Sequence, residues 1–370
     1  MKAIRLLNII VLIIITLLPH ICFAANFEKQ GNTKSSWDKI FIPVFFYSPD
    51  TKTGLGILGI LVRDKGVADN KPDTIQGPLL ITQENQIIAV LDSTIYKLDG
   101  SWRFKNKIKL SKFPDSFYGI GPDTTFSMKE DYTSHSVSIK LGAAKGITDN
   151  LYIGALFDFD KYTISDKERG GKLENNLVVG SGSDRSSGIG FSVSMDTRDN
   201  VFYTLSGSLI NLEIISYEDW LGSDNDYKKL HLNAKHFINI TGKQVVGING
   251  IVDSCKGNVP FQNLPFLGGS SLLRGYTSGR YRDKHFFGIQ SEYRTPIYER
   301  LGLVLFGGFA QVAPVFSDRL FKGMKKAGGL GIRYTVNSKE NINIRLDFAV
   351  NSTESGDEAN AFYFFYNESF

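Results

Sequence analysis

Apolar and polar residues alternate along most of the chain. In the stretch 230–240, Leu232 and Ile238 share one face with other apolar residues, while Asn233 and Lys235 lie on the opposite, largely polar face. A period of two residues is that of a β-strand, whereas a helix would group residues three and four positions apart. The pattern therefore predicts an all-β chain whose strands separate an apolar from a polar environment.

Sixteen segments of about ten residues carry this alternation, and most end at Gly, Asn, Asp or Lys residues. The predicted strands are 38–47, 54–63, 77–83, 86–96, 101–110, 133–143, 150–160, 187–197, 206–217, 228–240, 243–254, 285–296, 301–312, 326–337, 340–350 and 361–370. An even number of such strands is typical of the closed antiparallel barrels of the bacterial outer membrane.

The lengths of the connections distinguish such a barrel from a soluble β-sandwich, which is the other class with many short strands. From the fifth strand onward, long links alternate with tight turns, as outer loops alternate with inner turns in membrane barrels. The long links are 111–132, 161–186, 218–227, 255–284, 313–325 and 351–360. The link 64–76 is long on the inner side, which indicates a misplaced strand in that region.

The first residues read as a secretory signal. Lys2 and Arg5 make residues 1–5 a short basic region, residues 6–18 form an almost unbroken apolar run, and small Ala24 offers a cleavage site. The alternative is a membrane anchor, but a spanning helix needs roughly 20 apolar residues, and Pro19 ends the run earlier. The sequence therefore predicts a signal peptide over residues 1–24.

A short periplasmic segment, 25–37, would then precede a barrel of residues 38–370. Aromatic residues make up 12% of the chain and there are 37 glycines, which suits a β-protein with many turns. Cys255 is left without a partner once Cys22 leaves with the signal, so no internal disulfide is expected.

Composition and motifs exclude several function classes. The formal charge of +4 falls to about +2 when Lys2 and Arg5 are removed, which is too little to indicate a nucleic-acid partner. The chain carries no GxSxG, HExxH or paired-cysteine spacing. We therefore expect no catalytic site, no cofactor and no metal site.

The long link 255–284 contains the motif GGSSLLRGY at 268–276, followed by GRYRDKHFFGIQSEYRTPI at 279–297. These stretches closely resemble the bacterial surface antigen superfamily of BamA/TamA-type outer-membrane barrels. Weaker similarities lie in FYSPDTKTGLG at 46–56, MDTRDNVFYTLSG at 195–207, and GGLGIRYTVN with NIRLDFA at 328–349. The resemblance implies a sixteen-stranded barrel whose sixth outer loop folds into the lumen. The loop-locking motif would comprise Gly268, Gly269, Arg274, Gly275 and Tyr276.

The chain departs from the family pattern in two places. Assembly and secretion members carry periplasmic POTRA domains, whereas only the short segment 25–37 precedes the barrel, so a member lacking POTRA domains is expected. The family strand after the motif also often shows an FxDxG pattern whose Asp contacts the loop arginine, but FGGFAQV at 306–312 offers Gly308 or Gln311 instead.

Arg274 must therefore find another acid, and two lie on lumen-facing positions. Arg274 lies about ten residues before the start of the next predicted strand. Ten extended residues reach roughly 33 Å, so Glu292 is accessible. Asp347 on the fifteenth predicted strand is a second candidate, and the resemblance also implies that the Glu of the SEYR segment is an arginine partner. The alternative is that Glu292 merely pairs with Arg294 or Arg345 in a wet lumen.

Two further features have competing interpretations. Phe362, Phe364, Tyr366 and the terminal Phe370 resemble the signal that outer-membrane barrels present to the barrel-assembly machinery, although Glu368 interrupts their face. A second feature is a basic row on one face of the fifth strand. This row, Arg103, Lys105, Lys107 and Lys109, is either a solvated lumen wall or a wall that favours anions.

The resemblance implies a protein of the Gram-negative outer membrane that assists insertion or translocation of proteins or other molecules there. Its expected partners are outer-membrane lipid, the barrel-assembly machinery during biogenesis, and a periplasmic partner protein that would recruit substrates. The alternative is a passive pore or structural barrel without translocation activity.

Overall fold

The computed structural model describes residues 37–63, 72–200, 203–315, 323–337, 342–352, 360–366 and 368–370. The predicted signal peptide and nearly all of the segment 25–37 lie outside these residues. None of the helices within the described ranges is long and apolar enough to cross a membrane.

Sixteen strands form one closed antiparallel barrel, which confirms the fold class predicted from the alternation. The barrel strands are β1 (Asp38–Ser48), β2 (Lys52–Arg63), β3 (Asp73–Thr82), β4 (Ile87–Lys97), β5 (Trp102–Phe117), β6 (Glu130–Gly146), β7 (Leu151–Ser165), β8 (Ser183–Asp196), β9 (Gly207–Tyr217), β10 (Tyr227–Asn239), β11 (Val245–Gly257), β14 (His285–Tyr298), β15 (Leu301–Ala313), β16 (Lys325–Asn337), β17 (Ile342–Asn351) and β18 (Asn360–Tyr366). Two short strands, β12 (Phe266–Leu267) and β13 (Tyr281–Arg282), pair inside the link between β11 and β14. Single 3-10 turns occupy Phe126–Met128 and Asp219–Leu221.

Each of the sixteen predicted segments corresponds to one barrel strand. The expected misplacement near residues 64–76 is one of boundary: β3 begins at Asp73, four residues before its predicted start, and pairs in register with β2. The outer link between β1 and β2 is simply a tight turn.

The strands β5 to β8 extend beyond their predicted ends. The β5–β6 ladder continues to the pair Phe117 and Glu130, so the link predicted as 111–132 shortens to 118–129. The outward positions in the outer part of this ladder are polar, for example Ser116 opposite Asp131, whereas Phe117 on the inward face is fully buried. The alternation of apolar outward and polar inward residues ends there before the hydrogen bonding does, because the outward face has left the apolar belt.

The outward face forms an apolar belt of the kind that lipid surrounds. The side chains on this face that are more than half exposed include Leu55, Ile57, Leu79, Ile81, Leu305, Leu330 and Phe348. The inward positions carry charged, polar and aromatic side chains, many of them buried. The barrel thus has an apolar exterior and a polar, largely filled interior.

The seam between the first and last strands differs from the other strand pairs. β1 pairs with β2 along its whole length, from Asp38 to Ser48. Within the part of the chain that the structure describes, Tyr47 opposite Phe364 is the one residue pair in register between β1 and β18. Aromatic pairs cross the seam instead, including Phe45 with Phe364 at 5.5 Å and Phe46 with Phe365 at 5.6 Å between ring centroids.

Candidate functional site

The link between β11 and β14 crosses the barrel interior. Its first arm, with Val259, Phe261 and Leu264, packs among inward aromatic residues such as Phe117 and Tyr217. Its second arm buries five residues against β14 and β15, and these are Leu267, Leu272, Leu273, Tyr276 and Tyr281. We call residues 258–284 the lumen loop.

The tip of the lumen loop depends on glycines. Gly268 has a φ of 107°, and a Cβ there would lie 2.2 Å from the carbonyl oxygen of Thr277. Gly275 has a φ of 116°, and its N–H donates to the Tyr363 hydroxyl at 2.9 Å. A side chain at Gly268 would therefore clash as well as strain the backbone. Gly269, also left-handed, donates its N–H to the carbonyl of Tyr276 at 3.0 Å.

Leu273 adopts a positive φ of 55° although it is not glycine. Such a conformation is unfavourable for a bulky residue and persists only where the surroundings fix it. Here the Leu273 N–H donates to Oε1 of Gln290 at 3.0 Å, and the Gln290 amide donates to the carbonyl of Ser271 at 3.1 Å. Gln290 on β14 thereby clamps the backbone immediately before Arg274.

Arg274 is completely buried, and its guanidinium joins two strands of the wall. One terminal nitrogen donates to Glu292 on β14 and the other to Asp347 on β17. The guanidinium carbon lies 3.6 Å from the centroid of the Phe306 ring on β15. The structure thus brings the loop arginine together with both acids predicted from the sequence.

Three more arginines share these acids. Arg294 donates through Nε to Glu292 at 3.0 Å, and Arg333 donates to Asp347 at 2.6 Å. Arg345 lies 3.7 Å from Asp347 and donates to the carbonyl of Ser270 at 2.9 Å. The alternative pairing of Glu292 with Arg294 is therefore present alongside the Arg274 contact, whereas Arg345 faces Asp347.

Glu368 completes the group by accepting from Arg333 at 2.7 Å. We call the seven residues the arginine–carboxylate cluster; they are Arg274, Arg294, Arg333, Arg345, Glu292, Asp347 and Glu368. Four guanidinium groups share these three carboxylates, and Arg294 also donates to the backbone oxygen of Phe370 at 3.0 Å. Both Glu292 and Asp347 contact more than one arginine, so removing one arginine leaves each with another counter-charge.

The last residues of the chain also lie inside the barrel. The prediction of a strand running to Phe370 was wrong, because β18 ends at Tyr366. Ser369 donates to the carbonyl of Ser271 at 2.7 Å, and the Phe370 ring lies 6.1 Å from that of Phe237. An ionised Glu368 is costly on a lipid-facing strand position, and turning inward gives it an arginine partner.

The other predicted C-terminal residues remain in β18. Phe362 and Phe364 pair across the seam with Tyr47 and Phe45. The backbone of Tyr366 is in register with Ile344. Phe362 and Phe364 therefore lie on the outward face of β18 and adjoin the seam.

The lumen loop also reaches the outer turn beside the seam. The Ser278 N–H donates to Oδ1 of Asp50, in the turn between β1 and β2, at 2.9 Å. Burial raises the pKa of Asp50 to about 6, although the Ser278 hydrogen bond acts in the opposite direction. Arg280 of the lumen loop donates to the carbonyl of Thr124, in the link between β5 and β6, at 3.0 Å. The loop thus connects walls that are distant along the chain.

Sequence reasoning missed several members of this site. No role was predicted for Arg333, and Glu368 was interpreted only as an interruption of the aromatic face. The signal for Glu368 was its charge at an otherwise apolar, outward position, which requires a counter-ion or a turn inward. Within the described ranges, no group of three or more His, Cys, Asp or Glu residues is placed to hold a metal ion.

Comparison with known proteins places this geometry in context. A family model, the Omp85 superfamily domain, matches residues 95–370. Among solved structures, the chain is similar to BamA from Haemophilus ducreyi lacking POTRA domains 1–3, with a TM-score of 0.60, 15% identity, and coverage of 90% of this chain and 70% of that one. It is also similar to CdiB from Acinetobacter baumannii, with a TM-score of 0.57, 11% identity, and coverage of 91% and 60%.

A third similar structure is CdiB from Escherichia coli, with a TM-score of 0.58, 10% identity, and coverage of 90% of this chain and 63% of that one. At these identities the likeness is one of fold. The chain spans less than two thirds of either CdiB chain. A comparison with curated proteins gave no match.

Proposed function

The chain belongs to the Omp85 superfamily, and from this premise we propose that it assists insertion or translocation of proteins or other molecules at the outer membrane. The seam between β1 and β18 is the proposed working surface. In this proposal a client strand pairs with β1 while the barrel opens at the seam.

The observation that carries this proposal is the sparse pairing of the seam. The β5–β6 ladder has residue pairs from Trp102 opposite Lys145 to Phe117 opposite Glu130, whereas the seam has Tyr47 opposite Phe364. Opening the seam therefore breaks little backbone pairing, and each aromatic pair across it contributes only about 0.5–1.5 kcal/mol beyond its buried area.

The edge of β1 also provides a physical reason for a client to bind. An unpaired backbone group facing lipid costs several kcal/mol, because no water is present to satisfy it. An incoming β-strand would pair with those groups and remove the cost, as in other cases of strand addition to an open edge. Opening the seam therefore costs little free energy, and pairing of β1 with a client strand is favourable.

The lumen loop is proposed to hold the strands near the seam in place. Its locking residues are Gly268, Gly269, Arg274, Gly275, Tyr276, Glu292 and Asp347. They connect the loop tip to β14, β17 and β18, so the last strands keep their position while the seam opens. The same loop occupies the lumen, which opposes the alternative of a passive pore.

Biogenesis and location follow from the same proposal. The signal peptide of residues 1–24 would direct export, and Phe362, Phe364, Tyr366 and Phe370 would form the signal for the barrel-assembly machinery while the chain is unfolded. The finished barrel would reside in outer-membrane lipid, and a periplasmic partner protein would bring substrates to it.

A disulfide across the seam tests the proposal. In a Cys255→Ser background, Tyr47→Cys with Phe364→Cys joins β1 to β18, because residues directly opposed in antiparallel strands have Cα atoms about 4.5–5.5 Å apart. The matched control, Phe45→Cys with Leu55→Cys, joins β1 to β2 on the same outward face. Both variants are placed in lipid vesicles, and insertion of an unfolded outer-membrane barrel is followed by its heat-dependent gel mobility.

We expect the oxidised seam variant to lose insertion and to recover it after reduction, while the control is unaffected. Equal insertion with the seam locked and unlocked would contradict a role for the seam. If vesicles with the unmodified protein insert no more client than empty vesicles yet leak small solutes, the passive pore is the better description.

A further inference from the structure

A cavity of about 540 Å³ lies in the lumen beside the basic row of β5. The row, Arg103, Lys105, Lys107 and Lys109, points into it, and side chains from β4, β6 to β10 and the lumen loop complete its walls. Six residues of strand at about 3.3 Å each make this basic wall roughly 20 Å long. The volume suits a small organic molecule rather than a single ion.

The charges around the cavity do not balance. Its ionised lining comprises six cationic side chains and four carboxylates, namely Arg103, Lys105, Lys107, Lys109, Lys140 and Lys229 against Asp92, Asp158, Asp160 and Glu213. Two positive charges are therefore in excess. This excess is separate from the arginine–carboxylate cluster, none of whose residues lines the cavity.

Among the described residues, one of the five cavity lysines has a carboxylate partner. Lys140 contacts Glu213 at 2.8 Å and Asp158 at 3.9 Å. Within the described part of the chain, no carboxylate lies within 4.0 Å of the ammonium groups of Lys105, Lys107, Lys109 or Lys229. Lys105 and Lys107 are exposed to the lumen water, so their ammonium groups can reach a ligand without breaking an existing contact.

Neutral hydrogen-bond donors also line the cavity. The hydroxyl of Ser192 and the amide of Asn233 line the cavity, whereas Ser194 and Asn263 also line it but already donate to protein acceptors. Ammonium, hydroxyl and amide groups together are the donors that bind phosphate oxygens in proteins, and rings of basic side chains select anions and phosphate in pores.

We propose that this cavity binds a small phosphorylated solute through the unpaired lysines of β5 and β10. The two excess positive charges match the charge of a phosphate monoester. The ligand enters from the aqueous lumen, because the lysines point away from lipid. This inference does not depend on the seam or on the proposed function.

Pyrophosphate is a suitable probe, and binding to the detergent-solubilised full chain is measured by calorimetry at fixed ionic strength. The triple variant Lys105→Gln, Lys107→Gln, Lys109→Gln should bind at least about tenfold more weakly, the effect of losing roughly one charge-assisted hydrogen bond. The matched control is Lys112→Gln, which removes one charge from the same strand but from the outward face. It should bind like the unmodified protein.

If the triple variant does not form a heat-modifiable barrel, the single substitution Lys107→Gln at an exposed position is used instead. It too should weaken binding of pyrophosphate. A competition arm adds micelles that contain a monophosphorylated lipid. Displacement of pyrophosphate by that lipid supports the same site with a lipid headgroup as the source, and no displacement supports a free solute. No binding to the unmodified protein, unchanged binding in the lysine variants, or equal loss in Lys112→Gln would overturn the proposal.

Discussion

Replacing Arg274 with alanine is expected to release the lumen loop from the barrel wall. The substitution removes the contacts to Glu292 and Asp347 and the stacking on Phe306. Breaking a buried ion pair costs roughly 3–5 kcal/mol. The low end applies here, because Glu292 keeps Arg294 and Asp347 keeps Arg333. A loss of about 3 kcal/mol raises the undocked fraction of the loop by roughly a hundredfold.

Limited chymotrypsin digestion of the folded barrel in detergent measures that fraction. The loop keeps its cleavage residues Tyr276 and Tyr281 in the variant, whereas trypsin would lose a site at Arg274. Cleavage follows the population of the open loop when reclosing is fast, so the rate should rise by about two orders of magnitude. Lys284→Ala, which removes an exposed charge from the same loop, should leave the rate unchanged.

A double-mutant cycle measures the coupling energy between Arg274 and Glu292 apart from the effects of each substitution on other residues. Glu292→Gln should accelerate cleavage in the unmodified protein and have much less effect once Arg274 is alanine. Arg274→Lys should give an intermediate rate, since a lysine cannot make the forked contact to two acids. Unchanged protection in Arg274→Ala, or additive effects of the two substitutions, would refute the assignment of Arg274 and Glu292 as a locking pair.

Three further outcomes are expected. Acid should strengthen docking of the loop at Asp50. The pKa of Asp50 is raised from 3.8 to about 6, so between these pH values the docked state binds more protons than the undocked state. This contribution to docking is lost as the pH rises through about 6. Hydrogen-exchange mass spectrometry of the loop, corrected for the intrinsic rate, would measure this, and Asp50→Asn should abolish the dependence. Deleting residues 260–280 should convert small, flickering currents in planar bilayers into larger ones, and unchanged currents would place the loop outside the conducting path. The processed chain should begin at Ala25 and fractionate with the outer membrane as a heat-modifiable barrel; recovery in the soluble periplasm would contradict that location.

The sequence was sufficient for the architecture because lipid imposes a simple rule on every strand. Outward residues must be apolar, so segments such as 230–240 show their period of two without any knowledge of their neighbours. The rule fails where the outward face lies beyond the lipid, and β5 and β6 were therefore predicted too short. It fails again at Glu368, where the chain leaves the sheet.

The site was partly predictable for a different reason. Arg274, Glu292 and Asp347 could be connected from the motif, from the parity of their strands and from the reach of the loop. The contributions of Arg333 and Glu368 depend on how a residue near the end of the chain turns inward. Such a turn is set by three-dimensional pairing of charges, which no local pattern encodes.

The reach of the lumen loop has a consequence for the order of folding. Its partners include Asp50, 228 residues before Ser278, and Tyr363, 88 residues after Gly275. These two partners lie on opposite sides of the seam, so the loop cannot complete its contacts until both ends of the sheet have met. Contacts between such distant parts of a chain form late, because the entropy of closing the intervening segments is lost first. Docking of the loop would therefore be a final folding step, and a docked loop would indicate that the cylinder has closed.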